Sequence, residues 1–109
     1  MRIISQNGAI DVPYEMSSIR NDDKLIILCM AGETGKGSVI ARYSTSEKAE
    51  KAMEMLREQY SRLQVVKILA SGTCEHMEKS LSKDEFLECN LKYREMNIFQ
   101  FPQDEDVEV

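Results

Sequence analysis

Apolar and polar positions along this chain separate several short strands from one clear helix. Residues 2–5 form a brief apolar run that reads as a strand. Gln6-Asn7-Gly8 follows, and Asn-Gly at the centre of a tight hairpin tolerates positive φ at both positions. Residues 9–12 are the returning strand, which Pro13 ends. Asn21-Asp22-Asp23 makes a second turn. Residues 24–30 hold LIILC without a polar break, the pattern of a central strand covered on both faces. A Gly-rich loop over 31–37 leads to residues 38–43, expected to return antiparallel to 24–30.

The helix is the best-defined element. Ser44 and Glu47 have the spacing of a capping box, in which each side chain satisfies a free amide of the first turn. Ala49, Ala52, Met53, Leu56 and Tyr60 then recur on one face of a helix over about residues 45–60. Lys48, Glu50, Lys51, Glu54, Arg57 and Glu58 form its solvated face. Beyond it, Val65, Val66, Ile68 and Leu69 predict a strand over 64–70, broken by Ser71-Gly72. Thr73 is expected to cap a short helix carrying Met77 and Leu81. Residues 86–101 carry apolar positions at both periods and end in a strand over 97–101, stopped by Pro102. The predicted fold is α+β: a small antiparallel sheet packed by one main amphipathic helix and a second, short helix.

A chain of 109 residues is expected to form one domain over 1–109, with an acidic, frayed tail at 103–109. The net charge of −5 argues against general nucleic-acid binding, whose footprint is basic. The longest apolar run, residues 25–31, is far short of a membrane span. Residues 1–5 lead straight into a polar turn without the pattern of a signal peptide, so a cytoplasmic location is expected. Cys29, Cys74 and Cys89 include no C-x-x-C pair, which predicts reduced thiols and no disulfide. His76 is the only histidine, so no metal site or cofactor is expected.

Candidate chemistry is sparse. AGETGKGS over 31–38 departs from a P-loop, because Gly35-Lys36 is followed by Gly37 and a strand follows the loop. It reads as a hairpin loop, or as a small anion nest in which main-chain amides act with Lys36. Arg57, Arg62 and Arg94 are available cations, equally suited to surface ion pairs. Phe99 and Phe101 share one face of the last strand, as core anchors or as a stacking surface. Seven methionines fill a core or give an adaptable contact surface. No catalytic constellation stands out, and the chain is expected not to be an enzyme.

MRIISQNGAIDVPYE at the start, ARYSTSEKAEKAMEMLREQY in the middle and IFQFPQDEDVEV at the end together resemble a family of small proteins encoded in phages and prophages of Gram-positive bacteria. The resemblance covers nearly half the chain, and GETGKG is similar to a loop in some members. Residues 61–96 fall outside it. It carries no catalytic motif. It implies a phage context, in which small accessory proteins serve as counter-defence factors or minor regulators. The expected function is a non-enzymatic binding protein that sequesters a small phosphorylated nucleotide signal. Lys36, Arg57, Phe99 and Phe101 are the expected ligand-binding residues, in a homo-oligomer. The alternatives are an inhibitor of a bacterial defence protein, presenting Glu75, Glu78, Asp84, Glu85, Glu88 and the acidic tail, or a minor phage regulatory or structural protein.

Overall fold

The computed structural model describes residues 1–33, 35–80 and 83–109, and for 69–80, 83–86, 89 and 90 it describes the main chain alone. The fold is α+β, with two three-stranded sheets, a long helix and a shorter one. The strands are β1 (Arg2–Ile4), β2 (Asp11–Pro13), β3 (Ser17–Asp22), β4 (Leu25–Met30), β5 (Ser38–Arg42) and β6 (Ile98–Gln100). The helices are α1 (Ser46–Ser80) and α2 (Lys83–Met96).

The first sheet has the order β2-β1-β6, with β1 antiparallel to β2 and parallel to β6. The hairpin between β1 and β2 differs from its expected form. The Gly8 amide donates to the Ser5 carbonyl at 2.9 Å, so Gln6 and Asn7 are the central residues. Gly8 follows them at φ 77°, a backbone state that costs glycine nothing.

The second sheet is the meander β3-β4-β5. β4 is its central strand, as its apolar run predicts, and Ile26 and Leu28 face the core. β3 is not legible in the hydrophobic pattern, since Ile19 is its one apolar residue. A bulge at Ile40 breaks the register between β4 and β5, with Ile26 opposite Ala41 and Ile27 opposite Val39. Ile40 and Ala41 are neighbours in sequence, yet the bulge lets both turn inward and be buried.

α1 begins one residue later than the capping box predicts. Thr45 Oγ1 accepts from the Lys48 amide at 3.2 Å and so serves as N-cap. The Ser44 amide is taken instead by Asp104 Oδ1 at 2.7 Å. The expected core face holds: Ala49, Ala52, Met53 and Leu56 are buried. Tyr60 is half-buried, its ring centroid 4.5 Å from that of Tyr14.

The expected strand over 64–70 and the break at Ser71-Gly72 are corrected, because α1 runs on to Ser80. Leu63, fully buried, extends the face of Leu56 by two turns. No proline interrupts α1, and a single helical glycine costs only about 1 kcal/mol. The β-branched cluster at 65–68 is overridden by this continuity. Thr73 lies inside α1 and caps no separate helix; Leu81 lies outside the described residues. α1 is about 52 Å long at 1.5 Å per residue. The radius of gyration of 16.5 Å exceeds the roughly 13 Å of a compact chain this size, because the two helices extend away from the sheets.

The C-terminal segment is not frayed throughout. After β6 it crosses the base of both sheets, makes a short 3-10 turn at Asp104–Asp106 and buries Val107 in the core.

Candidate functional site

Where α1, α2 and β6 meet, the surface opens into a cleft of about 560 Å³. Gln59 fixes its geometry. Its Nε2 donates to the carbonyls of Met96 at 3.1 Å and Ile98 at 2.7 Å, tying α1 to the end of α2 and to β6. Asn97, between those elements, donates from Nδ2 to the Tyr93 carbonyl at 3.0 Å. Met55, Met96 and Ile98 give the cleft apolar walls. Arg62 comes from α1 and Lys92 from α2, Glu58 and Glu95 line the same cleft, and the Lys92 ammonium lies 3.9 Å from Glu88. Arg62 and Met96 also border a second groove of about 420 Å³, lined further by Val65 and Val66.

The sequence-predicted site residues are not brought together. Lys36 lies exposed in the loop after β4, where its carbonyl accepts from Arg20 Nη2 at 3.3 Å. Thr34 of the same loop lies outside the described residues. Arg57 is exposed on α1 and does not line the cleft; Arg62 does. Phe99 and Phe101 are buried, with centroids 5.1 Å apart in an edge-to-face pair. This corrects the stacking role expected for them, since neither presents a face for a base. Phe99 underlies the cleft floor and Phe101 belongs to the core.

Gln59, Lys92 and Glu95 are polar cleft residues that sequence reasoning misses. The signal of Gln59 depends on knowing that the helix continues past Tyr60, since only then do Gln59 and Arg62 share a face at i and i+3.

A second polar assembly joins the C-terminal segment to the start of α1. Lys48 Nζ donates to the Asp104 carbonyl at 2.9 Å and lies 3.5 Å from Asp104 Oδ2. The Ser44 amide, and then the Lys48 ammonium, hold the Asp104 carboxyl below its ordinary range. Tyr43, buried beside it, donates to the Pro102 carbonyl at 2.9 Å. Burial, and then the charge of Asp104, push the Tyr43 phenol well above its ordinary value. Every partner in this assembly is satisfied within the chain, so it reads as a structural clasp.

Among the described residues no group of three or more His, Cys, Asp and Glu side chains is placed to hold a metal ion. Cys29 is a half-buried free thiol. The side chains of His76, Cys74, Cys89, Glu75, Glu78, Asp84 and Glu85 lie outside the described set. No described helix is long and apolar enough to cross a membrane.

The fold and cleft define a small α+β protein with a helical arm and an amphipathic cleft at its root. Comparison of the chain with protein-family models, curated proteins and solved structures finds no match.

Proposed function

We propose that this is a non-enzymatic binding protein whose working surface is the α1–α2 arm with the cleft at its root, and that its partner is a protein. One observation carries the reading. Among the described residues eight large apolar side chains are exposed, and five of them, Val65, Ile68, Leu87, Leu91 and Ile98, lie on α1, α2 or β6. Scattered apolar residues need no explanation, but concentration on one part of a surface marks an interaction site. Leu87 and Leu91 stand one turn apart on α2, as do Val65 and Ile68 on α1. Met55 and Met96 nearby supply side chains that repack against a partner. The balanced charges of Glu58, Arg62, Lys92 and Glu95 suit a partner surface of mixed sign. In the phage setting that the sequence resembles, this partner is a bacterial defence enzyme and the effect is inhibition.

A second reading rests on Arg62 and Lys92, which approach one cleft from two helices. Such a pair suits the phosphate of a small nucleotide, with Met55, Met96 and Ile98 as apolar walls and with Glu58 and Glu95 opposing the anion. On this reading the cations are Arg62 and Lys92 in place of Lys36 and Arg57.

The readings separate by experiment. The protein is expressed in hosts that each carry one defence system, and phage plating is scored. The inhibitor reading expects plating to be restored in at least one host and lost with Leu87→Asp/Leu91→Asp. Calorimetry against cyclic dinucleotides, cyclic trinucleotides and ADP-ribose derivatives tests the second reading. Binding tighter than about 10 μM that Arg62→Ala abolishes would favour nucleotide capture.

A further inference from the structure

Of the four outer sheet edges, two carry groups bonded to their main chain and a third is short. On β5, the Ile40 carbonyl accepts from the Gln6 amide at 2.8 Å. The Gln6 side chain occupies both main-chain groups of Arg42. On β6, Gln59 covers the Ile98 carbonyl. On β2, the edge is short and Pro13 has no N–H to offer.

β3 is different, and its ladder shows which groups are free. The Ala31 amide donates to the Met16 carbonyl at 2.8 Å, which makes Met16 and Ala31 a hydrogen-bonded pair. The antiparallel register continues as Ser17 opposite Met30 and Ser18 opposite Cys29. Hydrogen-bonded and non-bonded pairs alternate along such a ladder. Ser18, Arg20 and Asp22 therefore turn their main-chain groups toward β4, and Ser17, Ile19 and Asn21 turn theirs outward. The Ser17 amide is taken by the Tyr14 carbonyl. The amides and carbonyls of Ile19 and Asn21 have no partner among the described residues, and Asn21 is exposed.

We propose that this edge pairs antiparallel with β3 of a second copy of the chain, joining two meanders into a continuous six-stranded sheet. In one register Ile19 stands opposite Asn21 of the partner subunit, and Asn21 opposite Ile19 of the partner subunit. All four free groups on each copy are then used, in four hydrogen bonds. Arg20 stands diagonal to Asp22 of the partner subunit, within reach of a long side chain, and the reciprocal pair forms by symmetry. These contacts offset the approach of the two Arg20 residues at the axis. Each Arg20 is in any case directed to its own Lys36 carbonyl. The helices fit the same geometry. α1 packs over β3 and β4, so its two copies lie two strand spacings apart, about 10 Å. That is the distance at which helices pack side by side, which adds area to the strand ladder. The β3 edge is distinct from Val65, Ile68, Leu87, Leu91 and Ile98, so either proposal can fail without the other.

Sedimentation equilibrium tests the proposal on the full chain. The expected mass is twice the 12.5 kDa of one copy. Asn21→Pro removes an outward amide and no bond of its own sheet, so it is expected to yield a folded monomer by circular dichroism and mass. Asp22→Lys leaves the main chain intact and sets like charges on the diagonal. It is expected to weaken the dimer at least about tenfold, and Arg20→Glu/Asp22→Lys to restore it. The Ile19 and Asn21 amides are expected to exchange slowly in the dimer. A wild-type monomer at high concentration overturns the proposal, as does a folded Asn21→Pro variant that dimerises normally. If Asn21→Pro does not fold, an undiminished Asp22→Lys dimer with fast-exchanging Ile19 and Asn21 amides overturns it.

Discussion

Gln6 pairs with Arg42 as a strand would, using its side chain in place of a main chain. Its Oε1 accepts from the Arg42 amide at 2.9 Å and its Nε2 donates to the Arg42 carbonyl at 3.1 Å. The same Nε2 lies 3.1 Å from the Pro102 carbonyl, and the Gln6 carbonyl accepts from Gln103 Nε2 at 2.7 Å. One residue thus joins the first sheet, the second sheet and the C-terminal segment. Gln6→Ala is expected to destabilise by roughly 1–3 kcal/mol, as removal of one partner from paired main-chain groups does. Gln6→Glu turns an acceptor toward two carbonyls, and is expected to be at least as damaging at neutral pH. Urea melts of the two variants against wild type check both statements.

Leu56 and Leu63 lie two turns apart on α1, both with essentially no exposure. Truncation of either to alanine is expected to cost roughly 2–5 kcal/mol. Val65→Ala, at an exposed position on the same helix, is expected to change stability by less than about 0.5 kcal/mol. Equal losses at Leu63 and Val65 in denaturant unfolding would mean that the core face of α1 is misassigned.

Gly37 has no room for a side chain. A Cβ there would sit 2.6 Å from both Cys29 Sγ and the Leu28 carbonyl oxygen, at φ 83°. At Gly8 the backbone is equally unusual, but the nearest atom is the end of the Gln100 side chain at 3.8 Å. Gly8→Ala is expected to cost about 1 kcal/mol for backbone strain alone. Gly37→Ala is expected to cost clearly more, because its three nearest neighbours, Cys29, Leu28 and Ile27, all belong to the central strand β4. Thermal melts of the two variants give the order directly.

Two groups of the clasp give opposite pH signatures. The Asp104 carboxyl is held low by Ser44 and Lys48, so its contribution is present at neutral pH and fades as pH falls through its folded value. The difference in Tm between wild type and Asp104→Asn is therefore expected to shrink on acidification below pH 4. The Tyr43 phenol is held high by burial. Above about pH 10 the unfolded chain releases this proton and the folded chain keeps it, so stability falls as pH rises. In Tyr43→Phe that alkaline loss is expected to be smaller, as read by melts between pH 8 and 11.

Much of the strand framework is legible in the sequence because burial and apolarity coincide there. LIILC on β4, Val39 to Ala41 on β5 and the closing Ile98–Phe99 carry their own signal. β3 does not, because an edge strand with a single half-buried Ile19 resembles a loop. The far half of α1 is misread because Val65, Val66 and Ile68 favour strands locally, while the continuing face of Leu63 decides the outcome. The parallel pairing of β1 with β6 joins opposite ends of the chain, and no local pattern reports it. For the candidate site, the shared face of Phe99 and Phe101 is legible, and burial selects the core-anchor role over the stacking role. The cleft was hidden because Arg62 and Lys92 come to line one space only once α1 and α2 are brought together.

The order in which the chain is synthesised gives the parallel pairing a further meaning. β1, the central strand of the first sheet, is made before the other strands described, and its neighbour β6 only after both helices. Asp104, which holds the entry to α1, emerges later still. A nascent chain can form the β4–β5 hairpin and begin α1, but it cannot complete the first sheet or the clasp. The first sheet therefore closes only after both helices have been made, and until then β1 offers an unpaired edge to whatever is nearby.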